Sequence, residues 1–260
     1  MTEAPVQLAI DGLIATLTMQ DVPKRNALGR AMLAGLQDGF RAIAAADVRA
    51  VVLRAAPDAR VWCAGFDIGD LRPGFDPLAQ DGPLQALFRA VAECRAPVIA
   101  MLHGTAWGGG TDLALRCDIA IGDPTCSLAF TPARLGLPYD ADGLLNVLLR
   151  GGLHVAVEMF ATADPVPAER AMALRLLNHL VPEAELETFT YALAGRIAAN
   201  APLSVASAKQ QLRALAATLP VPAALAQRLH EGRRAALDSD DYRDGLAAFH
   251  ARQPPVFSGR

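Results

Sequence analysis

Apolar and polar side chains follow two different periods in the first half of the chain. Residues 6–10 and 13–18 alternate apolar and polar positions around Asp11-Gly12, which predicts a β-hairpin. Leucine, phenylalanine and isoleucine recur at helical spacing over residues 28–45, which predicts an amphipathic helix. Further patterns of the same two kinds predict buried strands at residues 51–53, 97–102 and 119–121, and helices at 84–92 and 109–116.

The second half of the chain has helical spacing almost throughout, with prolines at the predicted boundaries. The strand–loop–helix units before it predict an α/β fold with right-handed crossovers. We expect a core over residues 1–182 and a helical oligomerisation region over residues 183–260. The predicted helices cover residues 144–150, 155–160, 168–177, 183–199, 204–215, 222–237 and 239–251.

Composition excludes several classes of protein. The chain has 260 residues, 52% of them hydrophobic, which is enough for one sizeable core. Its net charge of −3 gives no electrostatic basis for binding nucleic acid or an anionic membrane. The N-terminus lacks signal-peptide features, no apolar run reaches spanning length, and the four cysteines have no metal or disulfide spacing. We therefore expect a cytoplasmic protein with reduced thiols, no metal, no nucleic-acid partner and no membrane partner.

Two glycine-bearing turns carry the candidate chemistry. The segment Trp62–Ile68 follows a predicted strand, and so does the segment Gly104–Asp118, which contains three consecutive glycines. Two such turns can direct two backbone N–H groups at one point, where they stabilise negative charge on a carbonyl oxygen. Neither turn offers a Ser or Cys nucleophile with a His beside it. The predicted chemistry is therefore enolate stabilisation rather than acyl transfer.

The two turns resemble the crotonase superfamily of enoyl-CoA hydratases and isomerases. That superfamily has Ala-Gly-x-Asp in the first turn and Gly-x-x-x-Gly-Gly-Gly in the second, and residues 24–28 match its early Arg-x-Asn-Ala element. The resemblance implies a spiral of ββα units, a CoA thioester as substrate, no cofactor and a role in fatty acid metabolism. It places the backbone N–H groups of Phe66 and Gly109 in the oxyanion hole.

The same resemblance implies self-association. The C-terminal helical region of the superfamily forms trimers, so we expect a homotrimer or a homohexamer. The helices after residue 183 carry more apolar surface than solvent-facing helices need. The residues predicted at the subunit contacts are Leu186, Phe189, Leu193, Ile197, Leu203, Leu212 and Leu215.

The acid–base groups depart from the hydratase pattern. The resemblance assigns the two hydratase glutamates to positions that hold Asp112 and Pro132 here. Proline cannot donate or accept a side-chain proton, and adding water across a double bond needs two positioned groups. We therefore expect poor hydration. Asp112 is predicted either to take part in catalysis or only to complement the dipole in the first turn of its helix.

The segment Phe130–Asp140 resembles the methylmalonyl-CoA decarboxylase branch of the superfamily, which has Thr-Pro-x-x-Leu-Gly-x-Pro-Tyr at this place. That resemblance implies that Tyr139, with Thr131 nearby, holds the carboxylate that leaves as CO2. Two positions depart from it, because Phe66 replaces a His and Asp140 replaces an Asn. Asp140 is predicted either to move a proton or to be a loop carboxylate or helix N-cap.

The resemblance also assigns the CoA site. Backbone groups near Ala64, Asp67 and Ile68 would surround the adenine, and Lys24 or Arg25 would reach the phosphates. A segment rich in Pro, Gly and Asp, residues 72–83, is predicted to be a mobile loop over the site.

The sequence leaves three candidate functions, which we rank from the most to the least favoured. The first is an acyl-CoA lyase that decarboxylates a methylmalonyl-CoA-like substrate. The second is an enoyl-CoA hydratase or isomerase of broad or weak activity, working through Asp112 or Asp140. The third is a non-catalytic CoA-binding relative.

Overall fold

The computed structural model describes residues 4–72, 75–217 and 223–259. Within these ranges the chain forms two β-sheets with α-helices packed around them. The strands are β1 (Val6–Asp11), β2 (Ile14–Met19), β3 (Ala50–Ala55), β4 (Val61–Cys63), β5 (Val98–Leu102), β6 (Thr105–Trp107), β7 (Ile119–Gly122), β8 (Ser127–Ala129), β9 (Val166–Pro167) and β10 (His179–Leu180). The α-helices are α1 (Arg30–Ala44), α2 (Pro83–Glu93), α3 (Gly109–Arg116), α4 (Ala141–Thr162), α5 (Ala168–Ala173), α6 (Leu186–Ala198), α7 (Pro202–Ala217), α8 (Ala223–Leu237) and α9 (Asp240–Ala251).

From β3 to β8, consecutive strands alternate between the two sheets. The larger sheet has the order β1-β2-β3-β5-β7-β10, and the smaller has the order β4-β6-β8-β9. The pairs β3–β4, β5–β6 and β7–β8 each place one strand in each sheet, and a helix follows the first two pairs. The chain thus winds as a spiral of ββα units, which confirms the predicted fold class. The predicted hairpin is also confirmed, since β1 and β2 pair antiparallel.

The central strands of the larger sheet are covered on both faces. Every residue of β3 and β5 is buried, as parallel strands between helical layers require. Helix α6 covers one of these faces, where Leu186 and Ala194 pack against Val52 and Ile99. The prediction that Leu186 lies at a subunit contact is therefore wrong, because its own sheet covers it. Phe189, Leu193 and Ile197 pack against the same cluster.

The smaller sheet was not predicted from the sequence. Strands β4, β6 and β8 have three residues each, too few to show an alternating pattern. They are defined by pairing between segments that lie far apart in the chain. The site turns follow β4 and β6, so this sheet positions the candidate chemistry.

Helix α4 is interrupted within its length. Two helices were predicted here, and the backbone at Gly152 leaves the helical conformation (φ 81°, ψ 173°), which confirms the break. Among the described residues, α4 is also long and apolar enough by composition to cross a membrane, with a mean hydropathy of 1.4. No such segment was expected from the sequence. A break of this kind is unfavourable in lipid, because it frees backbone polar groups.

The C-terminal helices of the described chain pack on its own core. Helix α9 lies on a 3₁₀ turn at Pro132–Leu135, and the contact is close because glycines face it on both sides. A Cβ added at Gly136 would lie 2.6 Å from the Asp241 carbonyl oxygen, and one at Gly245 would lie 2.3 Å from the Leu135 carbonyl oxygen. This contact fixes the segment that leads to Tyr139.

Candidate active site

The two glycine-bearing turns meet, and two of their glycines, Gly65 and Gly110, have a steric reason. Gly65 has a positive φ of +83°, and a Cβ at this position would lie 2.5 Å from the carbonyl oxygen of Trp107. The same Cβ would lie 3.3 Å from the backbone nitrogen of Gly109. A Cβ at Gly110 would lie 2.8 Å from the sulfur of Cys63. Side chains at these positions would push the two turns apart.

Two backbone N–H groups are left free where the turns meet. Leu28 donates to the carbonyl oxygen of Gly65 at 2.7 Å, and this bond holds the first turn in place. The N–H groups of Phe66 and Gly109 have no acceptor within the described chain. The Phe66 nitrogen lies 3.6 Å from the position of a Cβ on Gly109, so the two donors are neighbours. Gly109 is the first residue of α3, whose dipole favours an anion at this end.

A small pocket opens in front of these donors, and its walls are mostly apolar. Aromatic packing holds one wall, since the ring of Phe130 lies edge-on to Tyr139 at 5.1 Å and tilted over Phe160 at 4.4 Å, between ring centroids. Pro77 and Leu78 line the pocket, so the prediction that the segment after Arg72 lies over the site is confirmed for these residues. The other lining residues are Ala64, Gly65, Phe66, Ile68, Leu71, Leu84, Gly108, Gly109, Thr131, Pro132, Leu135 and Leu137.

Asp112 is fully buried and its carboxylate is surrounded by donors. Arg116 donates to Oδ1 at 3.0 Å and to Oδ2 at 3.3 Å, and Asn146 donates to Oδ1 at 2.8 Å. The phenol of Tyr139 donates to Oδ2 at 3.2 Å. Arg116 also lies over the ring of Phe88 at 4.3 Å, which fixes the guanidinium. With four donors on its two oxygens, Asp112 is placed to orient Tyr139 rather than to accept a proton from a substrate.

Tyr139 stays protonated over the whole physiological range. Burial raises its pKa well above 10, and the negative charges of Asp112 and Asp140 raise it further against the opposing charge of Arg116. A protonated phenol is a hydrogen-bond donor. Tyr139 lines the same pocket as Phe66 and Gly109, which carry the two free N–H groups.

Asp140 lies directly behind this wall and is nearly buried. It occupies the predicted N-cap position of α4, but its side chain makes no capping hydrogen bond to the helix. Gln85 donates to its Oδ2 at 2.9 Å, and its Oδ1 is buried without a partner. Burial raises the pKa of Asp140 to about 6, and the charge of Asp112 contributes against that of Arg116. Asp140 does not line the pocket.

Of the predicted CoA residues, Ala64 and Ile68 line the pocket, whereas Lys24, Arg25 and Asp67 do not. The backbone N–H of Ala64 donates to the carbonyl oxygen of Arg25 at 3.0 Å, which joins the Lys-Arg turn to the first site turn. The side chains of Lys24 and Arg25 are exposed. Asp67 accepts from the backbone N–H of Gly69 at 3.0 Å, and this bond orders the next turn. Two segments that lie apart in the sequence, residues 24–25 and 64–68, are thus brought together.

Sequence reasoning missed the partners that surround the site carboxylates. Arg116 carried a usable signal, because it lies four residues after Asp112 on the same helix. Gln85 and Asn146 carried none, since they come from α2 and α4 and meet the site only through tertiary packing.

Comparison with known proteins agrees with this geometry. The family model described as enoyl-CoA hydratase/isomerase matches residues 9–260. A methylmalonyl-CoA decarboxylase of Escherichia coli (strain K12) is 35% identical over 237 residues, which cover 91% of both chains. A probable enoyl-CoA hydratase of Rhodobacter capsulatus is 30% identical over 272 residues, covering 100% of both.

Solved structures extend the agreement to the fold. A methylmalonyl-CoA decarboxylase in complex with 2-nitronate-propionyl-CoA superposes with a TM-score of 0.95 at 34% identity, covering 98% of both chains. This superposition and the family match support the same assignment as the two glycine turns and their free N–H groups. The chain belongs to the enoyl-CoA hydratase/isomerase family, which is the crotonase superfamily.

Proposed function

We propose that this protein decarboxylates a small malonyl-type CoA thioester, of which methylmalonyl-CoA is the model. The observation that carries the proposal is the pair of free N–H groups, on Phe66 and Gly109, facing a pocket that also holds a protonated tyrosine. Loss of CO2 breaks the carbon–carbon bond, and its electron pair passes into the thioester carbonyl. The resulting enolate oxygen carries the negative charge that the two N–H groups stabilise. The thioester itself accepts the electrons, so the proposed reaction requires no metal or organic cofactor.

Tyr139 orients the departing carboxylate in this proposal. Without substrate, its proton points to Asp112. The phenol hydrogen can rotate about the C–O bond, so a bound substrate carboxylate competes with Asp112 for the same donor. A single neutral donor holds the carboxylate out of the thioester plane without neutralising it, which keeps its departure favourable. The Phe66 side chain offers the carboxylate no hydrogen bond, because phenylalanine has no polar group. Its ring packs against that of Phe75, with 6.0 Å between the ring centroids.

A hydratase or isomerase activity is the second candidate. It is supported by the hydratases among the similar proteins and by Asp140, whose raised pKa of about 6 suits proton transfer near neutral pH. Two observations weaken it. The position of one hydratase glutamate holds Pro132, whose side chain cannot transfer a proton. The carboxylate of Asp112 already accepts four hydrogen bonds. A purely CoA-binding role is disfavoured by the free N–H pair, which binding alone does not need.

We propose an acyl-CoA as the bound partner, a cytoplasmic location, and self-association as a trimer or a pair of trimers. Unlike the α6 face, several apolar side chains remain exposed within the described chain. Leu203 and Leu212 of α7, both predicted contact residues, are 81% and 67% exposed. Helix α4 adds Leu149, Leu153 and Val157, which were not predicted.

Incubation with three thioesters tests the proposed reaction. Methylmalonyl-CoA and malonyl-CoA should release CO2, whereas crotonyl-CoA should be hydrated slowly, because one of two acid–base groups is absent and each contributes about 10²–10⁴-fold. Products are followed by mass. Efficient hydration of crotonyl-CoA without CO2 release from either malonyl-type thioester would replace the proposal with the second candidate.

The variant Tyr139→Phe tests the mechanism. Losing a hydrogen bond to a charged group costs about 1.5–3 kcal/mol, so kcat/KM for decarboxylation should fall about ten- to a hundredfold. Binding of a CoA thioester without the carboxylate should hardly change. Tyr191→Phe is the matched control, since its phenol bonds to Thr16 at 2.8 Å on the far side of the larger sheet. Decarboxylation by Tyr139→Phe at the parent rate would refute the role of the phenol.

A further inference from the structure

The chain from Arg25 to Leu28 runs beside β4 and the first site turn and is hydrogen-bonded to them. The carbonyl oxygen of Arg25 accepts from the N–H of Ala64 at 3.0 Å, and the N–H of Leu28 donates to the carbonyl oxygen of Gly65 at 2.7 Å. Leu28 also forms a parallel β-bridge with Phe66. We call residues 25–28 the clamp, because they hold the strand and turn that carry the Phe66 N–H.

Asn26 lies within the clamp and is fully buried. Its side-chain amide donates to the carbonyl oxygens of Val61 and Trp62, at 3.3 and 3.1 Å. Its backbone has a positive φ of 53°, a conformation that asparagine tolerates better than most residues with a Cβ. Asn26 does not line the pocket, so it can affect the chemistry only through β4.

Strand β4 needs support from outside its own sheet. It has three residues and lies at the edge of the smaller sheet, next to β6. Its register shifts between Val61 and Cys63, and such a bulge leaves one residue out of the ladder. That residue is Trp62, whose carbonyl oxygen accepts from Asn26 instead. The amide of Asn26 therefore takes the place of a neighbouring strand.

Cys63 connects the clamp with the second site turn. Its thiol donates to the backbone carbonyl oxygen of Asn26 at 3.1 Å, and burial raises the pKa of this thiol to about 12, so it stays a donor. A Cβ at Gly110 would lie 2.8 Å from the same sulfur. Strand β4 is thus held between the clamp and the start of α3. A shift of β4 would change the separation of the Phe66 and Gly109 N–H groups.

We propose that Asn26 is a positioning residue of the oxyanion hole, and that its amide sets the place of the Phe66 N–H by holding β4. The inference rests on the proposed role of that N–H in stabilising the enolate oxygen. Stabilisation of this kind depends on donors that are in place before the reaction starts. Loss of the amide should therefore leave the substrate bound but weaken the stabilisation of the enolate.

Asn26→Gly tests the inference, because glycine keeps the left-handed backbone and removes only the side-chain amide. We expect kcat for decarboxylation to fall about tenfold or more, short of the roughly 10²–10³ that loss of a whole donor costs. KM should change much less, since the interaction is made in the transition state. Asn26→Asp keeps the shape of the side chain, but its ionised carboxylate cannot donate, so it should lose kcat in the same way.

Asn178→Ala is the matched control. The side-chain oxygen of Asn178 accepts from the backbone N–H of Ala120 in β7 at 2.8 Å, in the larger sheet and outside the pocket lining. Asn26→Gly and Asn178→Ala each remove a hydrogen bond between an amide side chain and a strand, so both should melt a few degrees lower. Only Asn26→Gly should lower kcat.

Infrared difference spectroscopy examines the oxyanion hole without turnover. Propionyl-CoA with an isotopically labelled thioester carbonyl has no carboxylate to lose, and hydrogen bonds to its oxygen lower the stretching frequency. Binding to the parent and to Asn178→Ala should lower this frequency, and binding to Asn26→Gly should lower it much less. A parent that lowers the frequency but releases no CO2 from any malonyl-type thioester would refute the decarboxylase proposal and leave this inference standing.

Three results would overturn the inference. The first is a parent-like kcat or a parent-like carbonyl frequency in folded Asn26→Gly. The second is a parent that does not lower the frequency at all, because it would then form no oxyanion hole. The third is failure of both Asn26 variants to fold by circular dichroism, which would show that the amide holds the whole molecule together rather than one turn.

Discussion

Single residues at the junction of the two turns have separable roles. Gly65 and Gly110 provide close approach, whereas Gly109 provides a hydrogen-bond donor. A Cβ at Gly109 would meet only ordinary contacts, of which the nearest is a methyl carbon of Leu84 at 3.5 Å. Substitution there can therefore change the donor without rebuilding the turn.

Gly109→Pro should lower turnover by about 10²–10³, because proline has no N–H to offer the thioester oxygen. The first position of a helix tolerates proline, so the fold should survive. Gly109→Ala keeps the N–H and is the control for added bulk. Circular dichroism checks that both variants are folded. Equal loss in the two variants would show that bulk, and not the donor, is responsible.

Asp140→Asn should stabilise the protein at pH 8 but hardly at pH 4. The folded-state pKa of Asp140 is about 6, above its unfolded value, so the folded state binds the extra proton between the two values. Stability from this group is therefore present at low pH and is lost as pH rises through 6. The variant should gain about 1–3 kcal/mol at pH 8 in urea unfolding.

Asp142→Asn is the matched control for this pH effect, because its carboxylate is exposed in the same first turn of α4. It should change stability little at either pH. A gain for Asp140→Asn that is equal at pH 4 and pH 8 would contradict the cause assigned to it.

Elements as units explain how the chain closes its pocket. Helix α3 carries Gly109 at its first position, Asp112 in its first turn and Arg116 at its end, so one short helix joins the oxyanion hole, the carboxylate and the guanidinium that binds it. The pocket segment before α2 depends on the C-terminal helices instead. Arg233 of α8 is paired with Asp76, and the phenol of Tyr242 donates to the carbonyl oxygen of Phe75 at 3.3 Å.

Arg233→Gln should raise KM about tenfold with a smaller change in kcat. Arg233 and Asp76 are only 12% and 23% exposed, so breaking this pair frees the segment that carries Pro77 and Leu78 into the pocket. Burial acts to raise the pKa of Asp76, but its hydrogen bonds and the charge of Arg233 outweigh burial and lower it. The pair therefore persists below the usual titration range of Asp.

Arg234→Gln is the control for the same measurement, because the next residue forms an exposed pair with Asp238. Exposed pairs contribute about 0–1 kcal/mol, so its kinetics should match the parent. An unchanged KM in Arg233→Gln would show that the pocket segment holds its position without α8.

On the whole molecule, the packing of a single chain leaves several large apolar side chains exposed to solvent. The face of α6 is covered by the larger sheet, whereas Leu153 and Val157 of α4 are 62% and 58% exposed. Exposed apolar side chains that cluster along one helix are typical of an interface between subunits. This surface, and not α6, is where the proposed trimer contact belongs.

Light scattering of the purified protein should give a mass three times that of one chain, or six times if two trimers associate. Leu153→Glu should shift the mass toward that of the single chain, because a charge is buried at the contact. Leu229→Glu on α8, where the leucine is 43% exposed, is the control for surface charge. A monomeric parent at micromolar concentration would refute self-association.

The sequence alone determined the local features that depend on neighbouring residues. The glycines of the two turns, the hairpin, the long helices and the break near Gly152 all follow from backbone freedom and side-chain period, which act over a few positions. The family resemblance added the spiral, and it supplied the expectation that the substrate is a CoA thioester.

Only the tertiary structure decided which groups surround the chemistry. The smaller sheet forms from three-residue strands, whose pairing depends on distant segments rather than on their own pattern. The sequence predicts that Asp112 either takes part in catalysis or complements the dipole of its helix. Only folding brings Asn146 and Tyr139 to its carboxylate, where both donate hydrogen bonds. Burial raises the pKa of Asp140, and burial is a property of the whole packed molecule. The physical reason is the same in each case, since desolvation and long-range hydrogen bonds exist only after the chain has closed.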